Sequence, residues 1–335
     1  MTAFLEVDHL SVRYPQGSRV GARLARRPLI HLVAVDDVSL TVARGTSLGI
    51  VGESGCGKST LAKAIVGLAP ISDGTIRLGG EVLAKSRTRG MTRRIQMVFQ
   101  DPGGSLNPAL TIGTTLAELL RVHDLVPRER VAERCAELMD LVELPRPLLG
   151  ARPRALSGGQ RQRVAIARAL ALEPEILIAD EAVAALDVSV QAPILNLLNH
   201  LRDTLALTML FISHDLAVVR HVCDRVVVLY LGSVVEDRPT TDLFDQPRHP
   251  YTAALMAAAP KLGSRKVPGE SALVGEPPSP IDIPTGCRFR TRCPRAEDVC
   301  AAIEPRLDGP SPSQRVACHF AWSDDEQASA EILGE

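Results

Sequence analysis

The chain has 335 residues, 45% of them hydrophobic and 23% charged, with a formal net charge of −1. That size admits one large domain with a smaller companion, and the balanced charge gives no support to nucleic-acid binding. No apolar run reaches the roughly 18 residues of a membrane span, and the Met1–Asp8 start lacks a basic region followed by an apolar core. Neither a span nor a secretory signal is expected. A cytoplasmic chain follows, one that acts at a membrane only through a partner.

Leu5–Leu10 and Ser39–Val42 are short apolar runs that read as strands. Between them Gly17–Arg27 carries four arginines and no acid, which reads as a solvated loop. Tyr14, just before it, offers a ring that either fills core or stacks on a base, an interaction on the order of 1–3 kcal/mol. Ser47–Val51 reads as a buried strand. It runs into Gly52-Glu53-Ser54-Gly55-Cys56-Gly57-Lys58-Ser59-Thr60, of the form G-x-x-x-x-G-K-[ST]. The glycines let backbone N–H groups face a β-phosphate, Lys58 reaches the β/γ oxygens, and Ser59 offers a hydroxyl to Mg²⁺. A helix is expected from Ser59 to Leu68, and its N-terminus supplies part of the anion site. Cys56 reads as a small residue that fits the turn.

Ile95–Phe99 reads as a strand, after which Gln100 opens the turn-rich segment Asp101–Pro108. An amide there can reach Mg²⁺ or a γ-phosphate when the loop closes. Residues 112–144, rich in Leu, Ala, Glu and Arg, are helix-patterned and form an insertion. Leu156-Ser157-Gly158-Gly159-Gln160 starts a helix over 158–171, and its two glycines can present bare N–H groups to phosphate. Ile176–Ala179 is an apolar strand that delivers Asp180 and Glu181 at its C-terminal edge, where ligands collect in parallel sheets. Asp180 would hold Mg²⁺ through water, and Glu181 would polarise the attacking water in phosphoryl transfer. Helices over 188–205 and 215–222 alternate with strands over 208–212 and 225–229, and His214 follows the first of these strands. Such alternation implies a mostly parallel sheet covered on both faces.

After about residue 260 the texture changes. Prolines 268, 277, 278, 280 and 284 mark a linker, and Cys287, Cys293, Cys300 and Cys318 follow within 32 residues. In a reducing cytoplasm such a cluster points to a metal site ahead of disulfides. Four thiolates suit a [4Fe–4S] cluster or tetrahedral zinc, although the C-x₂₋₄-C pairs usual for structural zinc are absent. The residues from Ser323 onward read as a frayed tail.

The ordered set of the loop 52–60, Gln100, Leu156–Gln160, Asp180-Glu181, Ala185-Leu186-Asp187 and His214 resembles the nucleotide-binding subunit of an ABC transporter. The resemblance implies an α/β P-loop NTPase cassette: a mostly parallel sheet core, an antiparallel β subdomain and a helical subdomain. Residues 1–260 would be that cassette, its helical part at about 101–160. Residues 261–322 would be the Pro-rich linker and a small C-terminal Cys-rich module, and 323–335 a flexible tail. ATP and Mg²⁺ are the implied ligands. Glu181, His214 and Gln100 would be catalytic, with Ser59, Gln100 and Asp180 at Mg²⁺. Tyr14 and Gly52, Ser54, Gly55, Cys56, Gly57, Lys58, Ser59 and Thr60 would take the nucleotide. Leu156, Ser157, Gly158, Gly159 and Gln160 would face the ATP of a partner subunit, with Asp187 in the adjoining loop.

Gln100-Asp101-Pro102, Ser105–Pro108, His249-Pro-Tyr-Thr252 and the four cysteines are similar to the oligopeptide/dipeptide branch of importers. That branch implies a [4Fe–4S] cluster on Cys287, Cys293, Cys300 and Cys318, with zinc as the alternative. It also implies a second, non-identical ATPase subunit, two transmembrane permease subunits and an extracytoplasmic solute-binding protein. The chain would sit at the cytoplasmic face of the membrane, without nucleic acid, as the second ATPase of its pair. Nickel and glutathione are alternative solutes within the branch. An ABC ATPase working on nucleic acid or ribosomes is a reading from another class, which one phosphate loop and no sustained heptads argue against. Two departures stand out: Ala182 where the family has Pro, and Ala184 where it has Ser.

Overall fold

Alternating apolar residues build the longest strands of the chain. The computed structural model describes residues 3–17, 30–84, 87–184, 186–258 and 275–322. The arginines of the stretch 17–27, Ala185, linker residues 259–274 and the tail 323–335 lie outside the described residues. The chain divides into two compact units. One comprises Val42–Ser47 and Leu83–Ile212, the other Ala3–Thr41, Leu48–Val82 and the residues from Ser213 onward.

In the first unit, β6 (Ile95–Val98), β7 (Ile176–Asp180) and β8 (Thr208–Ile212) pair in parallel, with Ile95 beside Ile176 and Ile176 beside Thr208. Strands β7 and β8 are buried at every residue, as expected of a parallel sheet whose two faces are both covered. The insertion becomes two helices, Ile112–Val122 and Val131–Leu141. Asp124, in a left-handed conformation at φ 48°, and Pro127 separate them. Ile112, Leu116 and Leu120 form the buried stripe of the first helix, at i, i+4 and i+8.

In the second unit, β1 (Ala3–Gln16), β2 (Ile30–Ala43), β4 (Asp73–Leu78) and β5 (Glu81–Val82) form a sheet in the order β2-β1-β4-β5. Strands β1 and β2 are longer than the apolar runs that announce them, because pairing carries polar residues such as Ser11 opposite Asp73. A second set of strands contains β3 (Ser47–Val51), parallel to β9 (Arg225–Tyr230) with Leu48 beside Arg225. Beyond β9 lie β10 (Ser233–Pro239), β12 (Gln314–Val316) and β11 (Asp308–Ser311), all antiparallel. Asp237, fully buried on β10, accepts from Arg225 Nε at 2.6 Å and Arg315 NH2 at 2.7 Å. That double pairing compensates the buried charge and locks the C-terminal hairpin to the sheet.

Candidate functional site

In the second unit, β3 ends at Gly52 and the loop turns back into the helix Lys58–Val66. Gly57 caps this helix at φ 108°, where a Cβ would stand 2.2 Å from the Ala34 carbonyl oxygen. Only glycine fits there. No side chain caps the helix start, and a helix N-terminus is where backbone N–H groups meet an anion. Lys58 is 5% exposed, and its Nζ donates to the carbonyls of Gly52 at 2.7 Å and Glu53 at 2.8 Å. The ammonium thus lies folded along its own loop. Burial pushes the Cys56 thiol up, against the opposing influence of Lys58 nearby. Cys56 is a packing residue in this turn. The helix stops at Gly67, φ 92°, slightly short of the expected Leu68, because Leu68 N donates back to Lys63 O. Tyr14 is half-buried on β1, and His214 is exposed beside Ser213, whose hydroxyl accepts from Asp215 N.

In the first unit, Asp180 is 5% exposed at the end of β7. Glu181 follows at φ 47°, a left-handed conformation unusual for a residue with a Cβ, and its N–H donates to Ile212 O at 2.9 Å. Its carboxylate accepts from Gln100 Nε2 at 2.7 Å. Two residues 81 positions apart are therefore brought together. The turn after Glu181 is braced by Gln191, whose amide donates to Val183 O and Leu186 O. Ala182 is buried, and with Gln100, Leu106, Pro153, Gly158 and Leu186 it lines a cavity of about 340 Å³. Asp187 is the N-terminal residue before the helix Val188–Leu205, and Val190 N donates to its carbonyl.

Ser157 and Gln160 form a reciprocal cap. Gln160 N donates to Ser157 Oγ at 3.2 Å, and Ser157 N donates to Gln160 Oε1 at 2.9 Å. The pattern Ser-x-x-Gln was itself the signal for this, and a reading centred on phosphate missed it. Gly158 and Gly159 open the capped helix, with a Cβ on Gly159 placed 2.5 Å from Val190 Cγ1.

In the second unit, burial pushes the Cys287, Cys293 and Cys318 thiols up, the last to about 11. The other three thiols of the cluster lie near enough to Cys318 to add to its shift. Backbone N–H groups of Phe289 and Arg290 reach Cys287, that of Arg295 reaches Cys293, and Phe320 N donates to Cys318 Sγ at 3.4 Å. Among the described residues, no three His, Cys, Asp or Glu side chains converge as ligands of a single metal ion.

The contacts that other residues make here carried no sequence signal. Glu53 of the phosphate loop pairs with Arg292, and Glu53 N donates to Tyr251 Oη at 2.8 Å. His249 Nδ1 accepts from Tyr251 N, and its imidazole is pushed down to about 3 by complete burial. Glu236 accepts from Arg248 N and His249 N at 2.9 Å each, which fixes the entry to the helix Pro250–Ala258.

Residues 35–184 match the ABC transporter family, and residues 235–300 match the oligopeptide/dipeptide transporter, C-terminal region. A protein of Brucella abortus (strain 2308), named as a peptide import ATP-binding protein, is 49% identical over 306 residues, 90% of this chain and 88% of that one. A protein of Sinorhizobium fredii (strain NBRC 101917 / NGR234), named as a peptide ABC transporter ATP-binding protein, is 46% identical over 320 residues, covering 95% and 90%. Among solved structures, CbiO1 from Clostridium perfringens, part of the ABC transporter complex CbiONQ, aligns with a TM-score of 0.63 at 27% identity. That alignment covers 73% of this chain and 92% of the other. A dimeric ATP-binding cassette in a post-hydrolysis state with ADP and phosphate gives 0.57 at 28% identity, covering 69% and 96%. No helix among the described residues is long and apolar enough to cross a membrane. With near-half identity sustained over nine-tenths of its length, the chain belongs to the ATP-binding proteins of the ABC transporter family, in its oligopeptide/dipeptide branch.

Proposed function

We propose that the chain is the ATP-hydrolysing subunit of an importer of di- and oligopeptides, working at the cytoplasmic face of a membrane through two permease subunits. A second, non-identical ATPase and an extracytoplasmic binding protein complete the assembly. The observation that carries this reading is one chain matching the ABC transporter family at residues 35–184 and the oligopeptide/dipeptide C-terminal region at 235–300.

The roles follow from chemistry. Backbone N–H groups of Gly55–Thr60 and Lys58 Nζ take the phosphates, and Tyr14 supports the base. Ser59 and Asp180 are hard oxygen donors of the kind Mg²⁺ prefers. Glu181 orients the attacking water, and His214 contacts the γ-phosphate. Gln100 is bonded to the Glu181 carboxylate. That bond uses the amide nitrogen, so the Gln100 amide oxygen would remain available to Mg²⁺ while Nε2 orients the Glu181 carboxylate. Leu156–Gln160 and Asp187 serve the partner's nucleotide through backbone groups, since the Ser157 and Gln160 side chains are engaged in the cap.

Cys287, Cys293, Cys300 and Cys318 form, in this reading, the ligand set of a [4Fe–4S] cluster within a C-terminal module at 261–322. N–H groups directed at three of the sulfurs suit thiolate ligands. The four thiolates would hold such a cluster as its separate ligands. Such a cluster would tie the loops of the module together.

The test is reconstitution of the chain with the permeases and second ATPase encoded beside it, in vesicles. Peptide-loaded binding protein is expected to stimulate ATP hydrolysis. Stimulation by glutathione or a nickel chelate with none by peptides overturns the solute assignment. Iron and sulfide absent from anaerobically purified complex overturns the cluster.

A further inference from the structure

The segment between the first two cysteines of the cluster faces the phosphate-binding loop. Arg292, one residue before Cys293, has a side chain only 4% exposed and meets Glu53 with both arms of its fork: NH1 to Oε2 at 2.6 Å and NH2 to Oε1 at 3.0 Å. A bidentate guanidinium–carboxylate pair fixes direction as well as distance. Arg292 also stands over the Tyr230 ring, 5.9 Å from its centroid. Tyr251, its ring tilted against Tyr230 at 4.7 Å between centroids, accepts the backbone N–H of the same Glu53. Phe289 is buried against both rings at 5.3 Å.

Arg288, one residue after Cys287, acts on the other side of the loop. Its NH1 donates to Leu231 O at 2.6 Å. The next residue, Gly232, donates its N–H to Cys56 O at 2.9 Å. Leu231 is itself left-handed at φ 44°, a conformation that needs support from its surroundings. The phosphate loop is therefore held at Glu53 directly and at Cys56 through one intervening turn, both times by an arginine adjoining a cysteine.

We infer that Arg292 is a positioning residue for the phosphate-binding loop, and that the Cys287–Cys293 segment thereby sets nucleotide affinity without touching nucleotide. The inference rests on the proposed ATP-binding role of that loop. A buried ion pair is by itself weak evidence for stability. Its use here is geometric: Lys58 bonds the carbonyls of Gly52 and Glu53, so displacing Glu53 displaces the lysine's anchor.

The experiment measures Kd for a fluorescent ATP analogue with Mg²⁺, on full-length wild type, Arg292→Gln, Glu53→Gln and the double variant, at a temperature where melting curves show each folded. Each single change is expected to weaken binding about tenfold, and the double variant no more than either single, as for contacting pairs. Arg290→Gln serves as the control. Arg290 bonds Thr285 within its own segment, and wild-type affinity is expected. Wild-type affinity in Arg292→Gln, or effects that multiply in the double variant, overturns the inference. Should Arg292→Gln fail to fold, Tyr251→Phe removes only the acceptor for Glu53 N–H. Binding weaker by a few-fold supports the inference and unchanged binding overturns it. If wild type itself does not bind the analogue, the nucleotide-binding reading fails instead.

Discussion

Alanine at Gly158 and at Gly159 should have opposite consequences, although the two glycines are neighbours in the first turn of one helix. Carbon atoms pack at about 3.5–4.0 Å. A Cβ on Gly158 would meet Leu186 Cδ2 at 3.3 Å, and that methyl ends a side chain able to give by a few tenths of an ångström. A Cβ on Gly159 would meet Val190 Cγ1 at 2.5 Å, about 1 Å too close, on a β-branched residue with a stiff χ1. Replacing glycine by alanine contributes up to ~1 kcal/mol of helix propensity at either site. Overpacking of the Gly159 kind costs about 1–3 kcal/mol. Gly158→Ala is therefore expected to be neutral or more stable by up to ~1 kcal/mol, and Gly159→Ala less stable by ~1–2 kcal/mol. Urea unfolding of the purified chain at constant slope reads this difference. Adding Val190→Ala should recover part of the Gly159→Ala loss, a coupling of about 1 kcal/mol. Equal effects at the two glycines, or strict additivity with Val190→Ala, would refute the reasoning.

Three other expectations follow from single interactions. Asp237→Ala removes the acceptor shared by Arg225 and Arg315 and leaves the two half-buried guanidinium groups with only the carbonyls of Thr41 and Ser39. A loss of about 1–3 kcal/mol is expected, read as a lower urea midpoint; no measurable loss would show the pair to be dispensable. Glu181→Gln keeps the hydrogen-bonding capacity toward Gln100 but removes the base, so hydrolysis should fall by about 10²–10⁴-fold while nucleotide still binds. Equal loss of binding would place Glu181 in ground-state recognition. His249 is neutral when buried, with a folded pKa near 3 against 6.5 when exposed. Between those values the unfolded chain binds the extra proton, so stability present above pH 6.5 is lost as pH falls, by about 2 kcal/mol at pH 5. Glu236, whose carboxyl is pushed up by burial, acts in the opposite sense. The readout is therefore wild type against His249→Gln, whose amide oxygen can accept from Tyr251 N; parallel pH curves would exclude the histidine as the cause.

What was legible in the sequence was legible because it is local. Ser47–Val51 is an unbroken apolar run because β3 is buried on both faces, and the glycines of 52–57 are spaced by a turn that excludes Cβ atoms. Asp180 closes the apolar strand β7 while still buried, and Glu181 is the first residue beyond it, so both acids stand at a strand end that the apolar run announces. The insertion at 112–144 was readable as helical. Its division at Asp124 was not, since an aspartate in a left-handed conformation looks in sequence like one more polar helix residue. Leu156–Gln160 was read through phosphate chemistry alone, and the capping box in the same residues shows two constraints sharing one pentapeptide.

The motif His249-Pro-Tyr-Thr252 and the cysteine segment show where sequence reading stops and why. Each residue's chemistry could be named in advance: an imidazole, a phenol, a guanidinium beside a thiol. Which group each would meet depended on strand pairing, because Arg292 and Glu53 are 239 positions apart and Tyr251 lies 198 from the amide it accepts. That pairing is fixed by buried charge. Asp237 draws Arg315 onto β10, and the antiparallel step of Asp237 against Arg315 seats β12 on the sheet. From there the chain is short enough to keep the Cys287–Cys293 segment in the same unit as β9 and the phosphate loop. A pattern of hydropathy determines which face of a strand is buried, but not which arginine will neutralise a given carboxylate. The specificity of this arrangement lies in a few charge pairs, and exchanging Glu53 and Arg292 would leave the hydropathy pattern intact while reversing the contact that holds the loop.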